Sequence, residues 1–328
     1  MPCAALILLA SLLAASDGPA GLPLNMEPVV LLGGRLRIRV PAGMRVEARR
    51  ASIMAAPEAA EGETRLVLDR ARARLVLMCY ELFARGGEDL RKSVQADLES
   101  GWGSRTKGCK IEAVDLASPL EAIAVFPKPG EREQSANLVL AVYVERADGL
   151  VQYLAFYVNP EGLAQRAVWS ELGLRMARSL SQGSREIDLS AGTRRLPGLG
   201  GPGLQIDLPA GTSLMTQPGP DFAVHHLRPV TVLGRDAGSC GVYLGHHPSF
   251  QHRQAGLSED EVQRTPGELL GAETSWLAWE RMGRKRIEAI VPHPAEKGLA
   301  VHAFCSAPDE ASLKPLWSML QTLACSKD

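Results

Sequence analysis

The chain lacks a strong excess of charge of either sign. Its 36 basic and 37 acidic residues leave a formal net charge of -1. A protein with so balanced a charge has no overall field to attract nucleic acid or an anionic membrane surface. Aromatic residues are also sparse, at 5% of the chain, and they do not interleave with basic residues as the stacking platforms of single-stranded nucleic-acid binders do. We therefore expect no nucleic-acid partner.

The cysteines do not follow a metal-binding or redox spacing. The sequence contains no Cys-x-x-Cys and no His-Glu-x-x-His, which excludes the zinc-ribbon, thioredoxin-like and zinc-protease motifs. Removal of a leader containing Cys3 would leave five: Cys79, Cys109, Cys240, Cys305 and Cys325. An odd number allows at most two disulfides in an oxidising compartment and leaves one thiol. Their pairing stays open, although a helix predicted between the last two makes a bridge between those two difficult.

Long hydrophobic runs are absent except at the start, where residues 1–16 have the outline of a signal peptide. An apolar run from Ala4 to Ala15 ends in small residues and is followed by Asp17-Gly18. A run of about twelve apolar residues is too short to span a bilayer. The alternative is a buried N-terminal helix. We predict that residues 1–16 are removed and that the mature protein is periplasmic or secreted, without a transmembrane segment.

Comparison of the sequence with itself indicates two divergent copies of one domain. The segment from Gly33 to Gly43 matches the segment from Gly201 to Gly211 in its pattern of apolar residues, proline and glycine. Further on, Glu121-Ala122-Ile123 recurs as Glu288-Ala289-Ile290. Near the ends of the copies, Phe156 matches Phe304 and Met176 matches Met319.

These matches predict the domain organisation. We expect a first domain over 25–183, a linker over 184–198 and a second, shorter domain over 199–328. Each copy contains a complete set of elements from an opening strand to a closing helix, so each is expected to fold alone.

Alternation of apolar and polar residues predicts several strands in each copy. Leu36, Ile38 and Val40 alternate with arginines, which places one face of the opening strand on a core. Asp148-Gly149 is a strong hairpin signal, and helices are predicted in the first copy over about 88–100 and 160–180. Strands that connect mostly as hairpins favour an antiparallel sheet covered by helices. The predicted fold class is α+β, with two tandem domains, each an antiparallel sheet flanked by helices.

This order of elements, with its opening Leu-x-Ile-x-Val/Leu-Pro-x-Gly at Leu36 and Leu204 and its closing helix, resembles the PsbP-like superfamily. That superfamily includes the photosystem extrinsic protein PsbP and bacterial periplasmic DcrB-type proteins. The resemblance covers both copies. It implies an antiparallel sheet between helices and a role as a binding or assembly module, and it supplies no catalytic residues.

Arginines are concentrated in two short runs. Every second residue of a strand lies on the same face. These arginines could therefore form a basic strip that binds an anionic polymer or an acidic partner. The ordinary interpretation, an exposed outer sheet face, is favoured. The six residues are Arg35, Arg37, Arg39, Arg70, Arg72 and Arg74.

All seven histidines lie between His225 and His302. Imidazole is a common ligand of zinc, copper and nickel, and five of the seven could converge from neighbouring strands and a loop. This candidate metal site consists of His225, His226, His246, His247 and His252. Adjacent histidines in a strand point to opposite faces, so each pair could offer one ligand per face. Solvated loop histidines are the alternative.

Three function classes stay open. The first is a non-enzymatic binding or assembly module of the cell envelope with a protein partner, and the second is a periplasmic protein that binds a transition metal through its histidines. The third is a hydrolase that uses Cys240 or a histidine. Because no nucleophile stands in a recognisable acid/base constellation, the first class is favoured, and no catalytic or cofactor-binding residue is predicted.

Overall fold

The computed structural model describes residues 19–47, 63–87, 89–101, 108–116, 119–128, 137–199 and 203–326. The predicted signal peptide, 1–16, lies outside these residues. Strands make up 48% of the described residues and helices 19%, and these strands form four antiparallel sheets. The predicted α+β class, with sheets flanked by helices, is therefore wrong, and the fold is mostly β. The reason is that in each unit a small second sheet, and not helices alone, covers the main sheet.

The first unit comprises Met1–Glu186 together with Val232–Gly234. Its elements in chain order are β1 (Val29–Leu31), β2 (Leu36–Ile38), β3 (Arg45–Val46), β4 (Glu63–Arg70), β5 (Ala73–Arg85), α1 (Leu90–Gly101), β6 (Lys110–Ala113), β7 (Glu121–Phe126), β8 (Leu138–Glu145), β9 (Leu150–Val158), α2 (Arg166–Ala177) and β10 (Ser181–Gln182). The large sheet has the order β3-β4-β5-β9-β8-β7-β6, and the small sheet has the order β1-β2-β10. The turn between β8 and β9 contains Asp148-Gly149, as the hairpin signal predicted.

The main core of the first unit lies between the two sheets and α2. Leu36 and Ile38 of the small sheet, Leu77 and Phe156 of the large sheet and Trp169 of α2 belong to one buried cluster. The opposite face of the large sheet carries a second cluster under α1, and β8 is buried at nearly every position because both of its faces are covered. This explains why β8 reads as a continuous apolar run in place of an alternating one.

The second unit comprises Ile187–Thr231 together with Arg235–Asp328. The remaining elements are β11 (Gly192–Leu196), β12 (Leu204–Leu208), β13 (Thr212–Pro218), β14 (Phe222–Pro229), β15 (Thr231–Val232), β16 (Ser239–Gly245), α3 (Gln251–Gln254), β17 (Gln263–Leu269), β18 (Ala272–Arg281), β19 (Arg284–Pro292), β20 (Ala300–Ala307), α4 (Glu310–Leu320) and β21 (Ala324–Cys325). The large sheet has the order β13-β14-β16-β20-β19-β18-β17, and the small sheet has the order β11-β12-β21. The predicted linker 184–198 contains strand β11. This strand pairs with β12 along its whole length, so it belongs to the small sheet.

The two large sheets have the same strand order relative to the chain, and this order corrects part of the sequence comparison. Phe156 in β9 and Phe304 in β20 do occupy the same place, next to the third strand of their sheets. Glu121–Ile123 lie in β7, however, whereas Glu288–Ile290 lie in β19, whose place corresponds to β8. That match is therefore wrong by one strand. By register, Glu288 opposite Phe304 corresponds to Leu140 opposite Phe156.

The large sheet of the second unit also has two covered faces. Its main core packs against the small sheet and α4, and it contains Val242, Ala289 and Trp276. The opposite face carries a smaller cluster with Leu277 and Trp279, against which residues near α3 pack. Among the described residues, no helix is long and apolar enough to cross a membrane.

Candidate functional site

A single carboxylate interrupts the apolar strand β19 of the second unit. Ile287 and Ala289 point into the main core, so Glu288 points to the opposite face, where α3 lies. Glu288 is only 1% exposed. A buried carboxylate is costly unless it is paired and hydrogen-bonded, so its partners decide what it does.

The first partner is His302 on the neighbouring strand β20. Glu288 lies opposite Phe304 in the register, and His302 is two residues from Phe304 on the same face, which makes the two side chains diagonal neighbours. The His302 Nε2 atom lies 2.8 Å from Glu288 Oε2. Both residues are buried, so this contact is shielded from water.

The second set of partners comes from α3, the short helix that follows β16. His252 is fully buried, and its Nδ1 atom lies 2.9 Å from Glu288 Oε1. The backbone N–H of His252 donates to the same oxygen at 2.9 Å, and the backbone N–H of Gln251 donates to Oε2 at 2.7 Å. Glu288 thus receives the first two N–H groups of α3, which have no partner within the helix.

We call these four residues, Gln251, His252, Glu288 and His302, the Glu288 clamp. A carboxylate has about four acceptor positions, and each oxygen of Glu288 is engaged twice. Burial by itself would raise the pKa of Glu288, but the hydrogen bonds from His302, from the two backbone amides and from the His252 ring outweigh it and lower the pKa to about 2. The carboxylate is therefore ionised and has no acceptor position left.

The outer side of the clamp reaches the protein surface through Glu259. His252 Nε2 lies 3.5 Å from Glu259 Oε1. Arg253 and Arg264 bind the same carboxylate at 2.7 and 2.6 Å, and Arg253 is the largest cause of the lowered pKa of Glu259. At 3.5 Å the His252 Nε2 atom makes no hydrogen bond to Glu259 among the described residues, so α3 is held on the sheet from the Nδ1 side of the ring.

The adjacent histidines His225 and His226 lie on opposite faces of β14. His225 faces the main core with Leu227 and is completely buried, and its Nδ1 atom lies 3.0 Å from Thr216 Oγ1. Burial lowers the pKa of His225 to about 4, the neighbouring His226 adds to this effect, and the carbonyl of Pro197 opposes it. His226 lies 3.4 Å from Gln217 on the other face. The pair therefore cannot supply two ligands to one ion.

The second predicted pair, His246 and His247, is exposed just after β16. Their ring centroids are 6.5 Å apart, and His246 Nδ1 lies 3.1 Å from the carbonyl oxygen of Gly298. Of the five predicted ligands, His252 alone belongs to the Glu288 clamp. Within the described ranges, no group of three His, Cys, Asp or Glu side chains is arranged to hold a metal ion. The one carboxylate of the clamp offers no position to a metal, since all four acceptor positions of Glu288 are used.

Cys240 lies on the core face of β16 and is 3% exposed. Its Sγ atom contacts the Sγ atom of Cys305 and the carbonyl oxygen of Leu316. The Glu288 clamp is on the opposite face of the same sheet, so its histidines cannot act as a base for this thiol. Cys240 has the surroundings of a core residue.

The first unit contains a different buried polar network, which the sequence comparison missed. Arg35, predicted in a basic strip, is only 3% exposed, and its Nε atom lies 2.6 Å from Glu81 Oε2. Gln152 donates to the same oxygen at 3.2 Å, and Arg146 donates to the backbone carbonyl of Arg35. Burial raises the pKa of Glu81 although Arg35 opposes it. Arg35 therefore does not belong to an exposed strip.

One sequence signal identifies both networks. A polar or ionisable residue stands inside a run of strand residues that are otherwise apolar: Glu81 in β5, Gln152 in β9, Glu288 in β19 and His302 in β20. Since a strand between two covered faces has few positions for such residues, each one requires a partner on the layer that covers it.

Comparisons with known proteins do not assign a family. No family model matches the chain, and no curated protein matches it. A chain from the complex of Pseudomonas aeruginosa MucA and MucB is 11% identical, with 89% of both chains covered and a TM-score of 0.22. A crystal structure of MucB is 13% identical, with 97% of this chain and 98% of that chain covered and a TM-score of 0.18. TM-scores this low carry no argument about fold or function.

Proposed function

We propose that this chain is a non-enzymatic binding or assembly module of the cell envelope and that its ligand is a protein. The observation that carries the proposal is the saturation of Glu288, whose four acceptor positions are all used within the unit. A general base or a metal ligand needs a free lone pair directed at its substrate or ion. The most distinctive acid/base group of the second unit instead holds α3 on the sheet.

The arrangement of the two units supports the same proposal. We interpret them as divergent copies, because their large sheets have the same strand order and each small sheet ends with the strand after the last helix. The buried polar networks nevertheless differ, with Arg35 and Glu81 in one unit and Glu288 with two histidines in the other. A reaction shared by both copies would require a shared set of groups. The PsbP-like resemblance, which implies a binding role, is part of this proposal.

Photocrosslinking in cells tests the binding role. A photoreactive amino acid is placed singly at exposed positions of both units, Val30 and Val46 in the first and His247 and Met282 in the second. We expect crosslinks to one envelope protein from a subset of positions. The identified protein, once purified, should bind the tagged chain saturably at a fixed stoichiometry in calorimetry. Crosslinks from all four positions to many abundant proteins would contradict the proposal.

The same preparation tests the other two function classes. Stoichiometric metal in the natively purified protein, lost when His246 and His247 are replaced by alanine, would favour the metal-binding class. Turnover of ester or amide substrates that disappears in Cys240→Ser would favour the hydrolase class. The proposal requires that neither result is obtained.

Export is a separate prediction. A C-terminally tagged chain is expected outside the cytoplasm with an N terminus about sixteen residues downstream of Met1, because small residues end the apolar run. N-terminal peptide mass spectrometry of fractionated cells measures it. As a control, a double substitution of Leu8 and Leu9 by arginine should leave the chain uncleaved. Recovery of the intact wild-type N terminus in the cytosol would show that the segment is not a signal peptide.

A further inference from the structure

Two cysteines of the second unit lie directly opposite each other on paired strands. Cys240 in β16 is the register partner of Cys305 in β20. Opposed residues of antiparallel strands have Cα atoms about 4.5 or 5.5 Å apart, depending on the hydrogen-bond pattern. Both values lie in the range that a disulfide spans, about 4.4 to 6.8 Å.

The side chains point toward each other as well. Both cysteines belong to the main core of the second unit, so they share one face of the sheet. Their Sγ atoms are 2.8 Å apart. A bridge between them therefore needs no movement of either strand.

In the registers of the described strands, no other two cysteines lie opposite each other. Cys79 in β5 lies opposite Thr64 and Leu154 in the register, and Cys325 in β21 lies opposite Leu204. Cys109 precedes β6 and is not part of a strand ladder. Within the described part of the chain, the register thus singles out Cys240 and Cys305.

We propose that Cys240 and Cys305 form a disulfide bond between β16 and β20 in the mature protein. The oxidant is a second disulfide, either a small molecule such as oxidised glutathione or the active site of a thiol oxidoreductase. The Cys240 thiolate attacks one sulfur of that disulfide and expels one thiolate. The Cys305 thiolate then attacks the Sγ atom of Cys240 and expels the other thiolate. Two thiols of the chain are oxidised, the external disulfide is reduced to two thiols, and the two protons of the chain's thiols pass to the expelled thiolates.

The surroundings determine when the bond can form. Cys240 is 3% and Cys305 1% exposed, and the Cys240 thiol contacts the carbonyl oxygen of Leu316 in α4. Burial, together with the contact to Cys240, raises the pKa of the Cys305 thiol well above its usual range. Exchange needs a thiolate and access for the oxidant. The bond should therefore close during folding, before α4 covers the sheet, and should resist reducing agents afterwards.

Oxidative refolding of the purified full chain tests this proposal independently of export. The reduced, unfolded protein is refolded in a mixture of reduced and oxidised glutathione, unfolded again in acid, alkylated and digested. Peptide mass spectrometry is expected to find Cys240 linked to Cys305, lighter by two hydrogens than the two free peptides, in most molecules. Cys325→Ser should retain the linked peptide, whereas Cys305→Ser should lose it.

Resistance to reduction gives a second measurement that needs no variant. Dithiothreitol added to the folded, oxidised protein should leave the link intact, and dithiothreitol with urea should open it. Quantitative alkylation of both cysteines after oxidative refolding would overturn the proposal. So would a dominant link from either cysteine to Cys79, Cys109 or Cys325.

Discussion

Replacing Glu288 with alanine is expected to lower the free energy of unfolding of the second unit by about 3 to 5 kcal/mol, the range for removing one partner of a buried charged group. The reason is that the substitution leaves four donors in the interior without an acceptor, namely two backbone N–H groups and the rings of His252 and His302. Each buried donor without an acceptor adds its own cost in free energy. The helix α3 should then leave the sheet.

The loss of unfolding free energy is measured by urea unfolding, monitored through the hydrogen exchange of peptides from β19 and β20. These peptides report on the second unit separately from the first. The matched control is Glu280→Ala, because Glu280 pairs with Lys285 at the surface, where the two side chains are 59% and 41% exposed. Such a pair contributes less than about 1 kcal/mol. Glu288→Gln should fall between the two, since its amide keeps one acceptor oxygen. Equal losses for the alanine variants of Glu288 and Glu280 would show that the clamp does not hold the unit together.

The strand pattern was readable in the sequence where one face of a strand meets the core. Leu36 and Ile38 alternate with Arg37, and the structure buries the first two and exposes the third. The hairpin at Asp148-Gly149 was also correct, because glycine readily adopts the positive φ of 78° that the turn requires at Gly149. Both features depend on neighbours in the chain and not on the rest of the fold.

The position of each strand within its sheet could not be predicted from the sequence. Glu121-Ala122-Ile123 and Glu288-Ala289-Ile290 are identical in sequence, yet they lie in β7 and β19, which hold different places in their sheets. Short apolar strand segments resemble one another whatever their place, so three identical residues cannot fix it. The small sheets were missed for a related reason, since β10 and β21 have only two residues each and form by pairing with distant strands.

The candidate site was only partly readable. His252 belonged to the predicted metal set, but its partners Glu288 and His302 did not. The pairing joins residues that are 36 positions apart in one case and 14 in the other, and no local spacing rule relates them. His225 and His226 lie on opposite faces of β14, and His246 and His247 are exposed after the end of β16, so the two pairs do not meet.

Stability of the second unit should fall as the pH falls from about 6.5 to about 4, because His225 is buried as a neutral imidazole. Burial lowers its folded-state pKa to about 4, whereas an unfolded histidine titrates near 6.5. Between these values the unfolded state binds a proton that the folded state does not, so acid favours unfolding. The full shift corresponds to a loss of about 3 kcal/mol below pH 4.

The pH dependence of urea unfolding, followed by hydrogen exchange of peptides from β14 and β16, measures this loss. His225→Gln should flatten the profile between pH 4 and 6.5, because an amide can bond to Thr216 without titrating. His247→Gln is the matched control, since His247 is exposed and its replacement should leave the profile unchanged.

A further loss of stability is expected below pH 4.5 in both variants. The folded-state pKa of Glu288 is lowered to about 2, so the stability that this carboxylate contributes at higher pH disappears as the pH falls toward that value. Loss of the upper window in His225→Gln would assign that window to His225, and an unchanged upper window in this variant would show that this histidine is not the titrating group.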